Sequence, residues 1–170
     1  MRLDINAFFP GYRVSPLGEA DLAAALALCQ SNPLYYRHFG IQPTLENLRE
    51  NLTALPPGKA LEDKYFLGLW QGGKLIALLD LIAGYPEPDT AWIGWLILDQ
   101  SCQGRGLGSR LVEALLEGLS GAGFARVKLA YVQSNPQSRH FWQKNGFSPV
   151  PSDSEGARGN GALAPMERIL

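Results

Sequence analysis

The chain has 170 residues, of which 46% are hydrophobic and 18% are charged, so we expect one folded domain over residues 1–170 with a substantial core. Fifteen basic and sixteen acidic residues leave a formal net charge of -1, which argues against DNA or RNA as a partner. Two distant cysteines, Cys29 and Cys102, make neither a disulfide framework nor a zinc cluster, so we expect no metal and a reducing compartment. The first residues lack an apolar run long enough for a signal peptide or a membrane span, and we expect a cytoplasmic protein that does not associate with membranes.

The N-terminal third predicts one strand and two helices. Residues 12–17 alternate loosely and end in a turn, which indicates a short strand. Apolar residues fill positions 20–29, which predicts a helix that stops at Asn32-Pro33. Thr44 has the position of an N-cap, and Pro56-Pro57-Gly58 should end the second helix, which Thr44 starts.

The middle of the chain predicts an antiparallel sheet. Two apolar runs, 65–70 and 75–83, are separated by Gln-Gly-Gly-Lys, and glycine tolerates the positive φ angles of a tight hairpin turn. A third apolar run over 91–98 follows a proline-rich turn and indicates another strand.

The last third predicts two helices between strands. A helix of about fourteen residues should begin near Leu107, because leucines recur along one face, and a strand over 127–132 should follow. Asn135 is the predicted N-cap of the last helix, which should close at Asn145-Gly146, with Phe147 packing on the core.

The C-terminal end predicts a loop and a strand. Residues 152–161 are polar and rich in glycine, which indicates a mobile loop, and 166–170 should form the last strand. The order of all these elements favours an α/β layer fold on a mixed sheet.

The segment with the clearest chemistry is Gln-Gly-Arg-Gly-Leu-Gly at residues 103–108, which leads from an apolar strand directly into a helix. The first N–H groups of a helix have no intrahelical partner, the helix dipole adds partial positive charge there, and glycine lets the main chain approach a phosphate. The turn therefore suits a pyrophosphate. A flexible turn without a ligand explains a lone glycine cluster equally well.

Two other phosphate-binding motifs do not match the residues at these positions. A dinucleotide-binding fingerprint needs glycine at Ser109 and an acidic residue about twenty positions on, where Arg126 and Lys128 stand. A Walker-type loop needs Gly-Lys-Ser or Gly-Lys-Thr, and the chain contains neither.

Two segments together resemble a known family. Residues 103–108 are similar to the acetyl-CoA pyrophosphate signature of the GNAT N-acetyltransferase superfamily, Gln/Arg-x-x-Gly-x-Gly/Ala, which follows that family's apolar fourth strand. Residues 135–147 resemble its later motif, an Asn, then an aromatic pair, then Lys-x-Gly-Phe. Both motifs stand in the family's order and separation. The resemblance implies a mixed, mostly antiparallel sheet of about six to seven strands flanked by about four helices.

The resemblance also implies direct acetyl transfer from acetyl-CoA to an amine of a small molecule or peptide, without a covalent acyl-enzyme. Main-chain groups of the fourth strand would pair with the pantetheine arm, one amide there would polarise the thioester carbonyl, and the glycine loop would hold the pyrophosphate. The residues so assigned to the cofactor are Leu96, Ile97, Leu98, Gln103, Gly104, Arg105, Gly106, Leu107, Gly108, Ser109, Asn135, Ser138, Trp142 and Lys144. For Asn135, an N-cap role alone is at least as good an explanation, and Lys144 has the pattern of a solvated helix residue.

The chain departs from the family at the expected acid and base. Where many relatives have a tyrosine that protonates the leaving thiolate, Trp142 stands, and an indole has no accessible proton to give. Where some relatives have a glutamate base, Ala130 stands. Asp80, which interrupts an apolar strand, is the candidate base, although it could instead face solvent or bind a neighbouring group.

The acceptor amine is not identified by the sequence. Tyr35, Tyr36 and His38 lie in the first connection, which walls the acceptor site in this family, and Tyr85 follows the third strand, so these residues are candidate contacts. The aromatic residues could equally pack under a long loop. A non-catalytic acyl-CoA-binding module and a CoA-independent interaction domain remain alternative functions, and the family resemblance permits a homodimer.

Overall fold

The computed structural model describes residues 3–151, 157–158 and 161–170. These ranges contain eight strands and five α-helices. The strands are β1 (Arg13–Pro16), β2 (Lys64–Gln71), β3 (Lys74–Ala83), β4 (Thr90–Leu98), β5 (Arg126–Val132), β6 (Ser148–Pro149), β7 (Ala157–Arg158) and β8 (Gly161–Ile169). The helices are α1 (Leu22–Gln30), α2 (Pro33–Phe39), α3 (Leu45–Asn51), α4 (Leu107–Gly121) and α5 (Pro136–Lys144).

The strands form one mixed sheet. Its main order is β1-β2-β3-β4-β5-β8-β6, and the two-residue strand β7 also pairs with β8. The β4–β5 pair is parallel and the other paired strands are antiparallel. The expected mixed, mostly antiparallel sheet with flanking helices is thus confirmed. Among the residues that the structure describes, no helix is long and apolar enough to cross a bilayer.

Helices cover both faces of the sheet and bury two hydrophobic cores. On one face, α4 buries Leu107, Leu111, Leu115 and Leu119, which recur every fourth residue and so share one side of the helix. On the other face, α1, α2 and α3 pack on a second core that includes strand residues such as Leu78. Each strand of the sheet centre is therefore buried on both sides, as in other α/β layer folds.

The first connection differs from the sequence interpretation, which placed no helix there. Asn32-Pro33 ends α1, but Pro33 also occupies the first turn of α2, where its fixed φ is favourable and its missing N–H costs nothing. Gly40 ends α2 in the left-handed region, with a φ of 79°. The aromatic residues predicted in a loop therefore lie on a helix.

Two further boundaries differ from the prediction. Helix α3 is N-capped by the Thr44 hydroxyl, which accepts a hydrogen bond from the Asn47 N–H at 3.1 Å, but it ends at Asn51, well before Pro56. The last strand begins at Gly161 instead of 166, because it pairs along the whole of β5. Most of the predicted loop over 152–161 lies outside the described residues, and the part that is described, Ala157–Arg158, is a strand paired with β8.

Candidate active site at the divergence of two parallel strands

The two parallel strands at the sheet centre separate after four paired positions. Thr90–Ile93 of β4 pairs with Arg126–Leu129 of β5, and both strands continue beyond that point. On its other side β4 carries a bulge, because Asp80 pairs with Trp95 and Leu81 with Ile93, which leaves Gly94 without a partner in β3. A bulge bends a strand locally, so β4 turns away from β5 at the point where their pairing stops.

The edge of β4 that faces this gap carries unpaired main-chain groups. The Asp99 N–H donates to the Ile76 carbonyl of β3 at 2.9 Å, and successive peptide groups of a strand alternate in direction. The Ile97 main chain therefore faces β3, while the Leu96 N–H and carbonyl and the Leu98 N–H face the gap. Of the three residues predicted to pair with pantetheine, Leu96 and Leu98 thus present main-chain groups there.

The Leu98 carbonyl is held by two side-chain amides. It accepts hydrogen bonds from Asn32 Nδ2 at 2.9 Å and from Gln103 Nε2 at 3.0 Å. Gln103 Nε2 also donates to Asn32 Oδ1 at 2.6 Å, and Asn32 is buried at the α1–α2 junction. The side chain of Gln103 therefore ties the glycine loop to the end of β4 and to α1. Sequence reasoning treated Asn32 only as a helix stop and missed this role.

The glycine loop has the backbone of an anion site. Gly104 and Gly106 have φ angles of 76° and 75°, a left-handed conformation that glycine adopts without strain. The first bond of α4 runs from the Arg110 N–H to the Gly106 carbonyl, so the N–H groups of residues 107–109 have no intrahelical acceptor. Nη1 of Arg110 donates to the Arg105 carbonyl at 3.2 Å, which places a positive charge at the loop that sequence reasoning had not singled out.

Gly108 lies at a close contact between α4 and α5, and Asn135 caps α5. A Cβ added at Gly108 would lie 3.0 Å from Cε2 of Phe141, so a glycine there lets α4 and α5 approach closely. Asn135 is buried, and its Oδ1 accepts a hydrogen bond from the Ser138 N–H at 3.1 Å as the N-cap of α5. A ligand contact by Asn135 would therefore use its amide nitrogen. Lys144 is exposed in the last turn of α5.

A cavity of about 620 Å³ opens from the gap between β4 and β5 and extends under α2 and α3. It brings together seven of the candidate cofactor, catalytic and acceptor residues: Tyr35, Tyr36, Asp80, Tyr85, Leu96, Ser138 and Trp142. His38 is not among the described residues that line it, and its Nδ1 lies 3.3 Å from Ser134 Oγ. The cavity volume is in the range of small-molecule sites.

Asp80 is paired with a buried lysine that the sequence did not indicate. Lys64 Nζ lies 2.6 Å from Asp80 Oδ1, and the two side chains are only 3% and 15% exposed. Burial raises the pKa of Asp80, while the positive charge and hydrogen bond of Lys64 act in the opposite direction. A Cβ added at Gly94 would lie 3.0 Å from Asp80 Oδ2, so the bulge in β4 makes room for this carboxylate.

Burial affects two phenols of the cavity lining and a nearby thiol. Burial, followed by the nearby Cys29 thiol, raises the pKa of both Tyr35 and Tyr36, so their phenols keep their protons. Burial likewise raises the pKa of Cys29 to about 11, which leaves a protonated thiol that is not a nucleophile. Trp142 packs edge to face on Phe147, with ring centroids 5.1 Å apart.

One tyrosine of the cavity lining is the neighbour in sequence of Ala130, the position of the absent glutamate. Ala130 of β5 lines the cavity, and so does its neighbour Tyr131, which is buried. Sequence reasoning had no ground for selecting Tyr131, because a tyrosine inside an apolar strand has the pattern of a core residue.

Comparisons with known proteins identify the family of the chain. The acetyltransferase (GNAT) family profile matches residues 22–147. A mycothiol acetyltransferase from Beutenbergia cavernae is 37% identical over 65 residues, which span 38% of this chain and only 22% of the length of that relative.

Two solved structures extend the comparison to nearly the whole chain. The acetyltransferase of Thermus thermophilus is 27% identical with a TM-score of 0.77, covering 94% of this chain and 97% of that one. The PaiA N-acetyltransferase of Thermoplasma acidophilum in complex with coenzyme A shares the fold, with 18% identity, a TM-score of 0.65 and coverage of 94% and 99%. Since the family profile spans well over half of the sequence and the sheet has the same architecture, the chain belongs to the acetyltransferase (GNAT) family.

Proposed function

We propose that this chain is an acetyl-CoA-dependent N-acetyltransferase that moves the acetyl group directly onto an amine of a small molecule or a peptide. The observation that carries the proposal is the divergence of β4 from β5, which exposes main-chain donors and acceptors beside a cavity and near a loop of free amides. An extended pantetheine arm can pair with such a strand edge in the way that an added strand does.

The cofactor contacts follow from the directions of the main-chain groups. The Leu96 carbonyl and the Leu98 N–H would pair with the pantetheine amides, and the N–H groups of residues 107–109 would bind the pyrophosphate with help from Arg110. Asn135 would donate from its amide nitrogen. Lys144, which lies farther along α5, is proposed to meet the nucleotide phosphate from solvent.

The proposed reaction forms a C–N bond and breaks the C–S bond of the thioester. The amine nitrogen attacks the thioester carbon, its proton passes to Asp80 Oδ2, and the C–S bond breaks as the thiolate leaves. The Leu96 N–H would stabilise the negative charge that develops on the thioester carbonyl oxygen. Trp142 shapes the thioester pocket, and the CoA thiolate takes its proton from Tyr131 or from water.

A non-catalytic acyl-CoA-binding module is the alternative. It is favoured by one observation, that the family's usual tyrosine and glutamate positions hold Trp142 and Ala130. Release of free thiol from acetyl-CoA in the presence of amines separates the two functions, because only an enzyme accelerates it.

The first experiment is calorimetric titration of the protein with acetyl-CoA. A Gly106→Trp variant fills the loop that would hold the pyrophosphate and is expected to lose binding. Gly11→Trp is the matched control, since Gly11 also has a positive φ, 91°, and a Cβ there meets nothing within 4 Å. No binding to the folded wild type, or equal binding to both variants, would remove the acetyl-CoA site and both functions with it.

Location and assembly are also proposals. We propose a cytoplasmic enzyme, with a homodimer as the assembly that the family resemblance permits. Sedimentation velocity on the purified protein distinguishes a monomer from a dimer.

A further inference from the structure

Aromatic rings from α2, from β4 and from Tyr85 form much of one part of the cavity lining. Tyr35 and Phe39 stack with centroids 6.0 Å apart, and Tyr85 and Trp92 meet edge to face at 5.9 Å. Trp95 completes this wall from β4. Aromatic walls stabilise a bound molecule by burying its apolar surface and by stacking with its rings. A hydrated polar chain has neither rings nor much apolar surface, so it gains little from such walls.

The same compartment carries no net charge. Asp80 is the one charged residue among the described residues that line it, and the ammonium group of Lys64 balances that carboxylate at 2.6 Å. A second charge on a bound molecule would therefore lose its hydration without gaining a partner of opposite sign. Aromatic walls without net charge therefore favour an amine on an uncharged aromatic body over an amine that carries a second charge.

We infer that the acceptor is a primary amine carried on an uncharged aromatic body, an arylalkylamine in chemical terms. The inference rests on the proposed function and adds the class of its acceptor. The ring packs against Tyr35, Trp92 and Trp95, and the amine lies toward the gap between β4 and β5, where the thioester would be.

Lys64 acts in this arrangement as a positioning residue. It holds Oδ1 of Asp80, and Oδ2 lies beside Gly94 at the bulge, where β4 begins to leave β5. Oδ2 of Asp80 is thus left to accept one hydrogen from the acceptor amine. The pair takes up the proton that the attacking nitrogen loses, without offering a site for a second ammonium group.

The test compares three primary amines. Against 2-phenylethylamine, phenylalanine adds a carboxylate to the same body, and 1,5-diaminopentane replaces the ring by a chain with a second ammonium. With acetyl-CoA saturating, kcat/KM for 2-phenylethylamine is expected to exceed that for either other amine at least tenfold. A value for phenylalanine or the diamine within twofold of it, or above it, would overturn the inference.

A charge placed at the rim of the cavity tests whether the absence of net charge sets the preference among amines. Ile41 lines the cavity and is 41% exposed, so Ile41→Glu adds a negative charge without disturbing the core. It is expected to raise the kcat/KM ratio of diamine to 2-phenylethylamine at least threefold. Leu61→Glu is the matched control, because Leu61 is 57% exposed and is not among the lining residues described, and its ratio should equal that of the wild type. An unchanged ratio in Ile41→Glu would contradict a charge-neutral acceptor compartment.

Binding separates this inference from the proposed function. Calorimetric titration of the same three amines, without acetyl-CoA, measures the affinity of the compartment for each amine even if no acetyl group is transferred. Tighter binding of 2-phenylethylamine together with no thiol release would refute the enzyme and keep the arylalkylamine site. Thiol release with no preference among the amines would keep the enzyme and refute the site.

Discussion

Replacing Asn32 tests whether the end of β4 is held in place from outside the sheet. Its side chain donates to the Leu28 carbonyl at 3.1 Å and to the Leu98 carbonyl at 2.9 Å, and it accepts from Gln103 at 2.6 Å. At about 1 kcal/mol for each net hydrogen bond, and more where a buried partner is left unsatisfied, Asn32→Ala should lower the free energy of unfolding by about 2–4 kcal/mol. Gln103 is exposed, so water can replace part of its bonding, and Gln103→Ala should cost only about 0.5–1 kcal/mol.

The assay is urea unfolding of the two single variants and the double variant, with calorimetric titration of acetyl-CoA on each folded protein. The two substitutions share bonds, so their effects should be coupled by about 0.5–1 kcal/mol. Affinity for acetyl-CoA should fall about tenfold in Asn32→Ala, which is ~1.4 kcal/mol, because the Leu96 and Leu98 main chain loses its support. Gln30→Ala, an exposed amide at the end of α1, is the control. Unfolding within about 0.5 kcal/mol of the wild type, with unchanged affinity, would refute the reasoning.

Four further predictions concern the cavity. Gly94→Ala places a Cβ 3.0 Å from Asp80 Oδ2, so it should displace the carboxylate and lower kcat with little change in acetyl-CoA affinity; an unaltered kcat in steady-state kinetics would exclude Asp80 from the reaction. Because burial raises the pKa of Asp80, transfer should fall as the pH is lowered through that raised pKa, and this acidic limb should vanish in Asp80→Asn; a limb that persists belongs to another group. The same shift means that the folded chain binds this proton more tightly than the unfolded chain, so the contribution of Asp80 to stability declines as the pH rises from 3.8 through the folded pKa, which pH-dependent urea unfolding measures. Trp142→Phe should keep kcat within about threefold, because the indole gives no proton, and a hundredfold loss in stopped-flow thiol release would contradict that assignment.

The elements that the sequence predicted best are those whose local patterns agree with their tertiary surroundings. The leucine spacing of α4 and the glycine hairpin between β2 and β3 are local signals, and both elements formed as expected. Helix α2 was missed because Asn32-Pro33 both ends one helix and starts another, and a stop signal alone does not tell which occurs.

Only part of the candidate site could be predicted from the sequence, for a related reason. The glycine loop is contiguous in sequence, so its backbone could be expected from the residue types. Lys64 and Asp80 lie on neighbouring strands and Asn32 meets Gln103 from 71 positions away, and pairs of this kind depend on register and packing that no local pattern records.

The short pairing of β4 with β5 also has a consequence for how long the protein survives in a cell. With only four paired positions between them, the two halves of the sheet are expected to gain cohesion from any molecule that pairs with the free edge of β4. A ligand that binds only the folded chain stabilises it by about 2.7 kcal/mol at a hundred times its dissociation constant. With acetyl-CoA as the proposed ligand, local opening near the strand divergence, and with it proteolytic turnover, should slow when acetyl-CoA is plentiful, so that the abundance of the protein would follow the supply of its proposed acetyl donor.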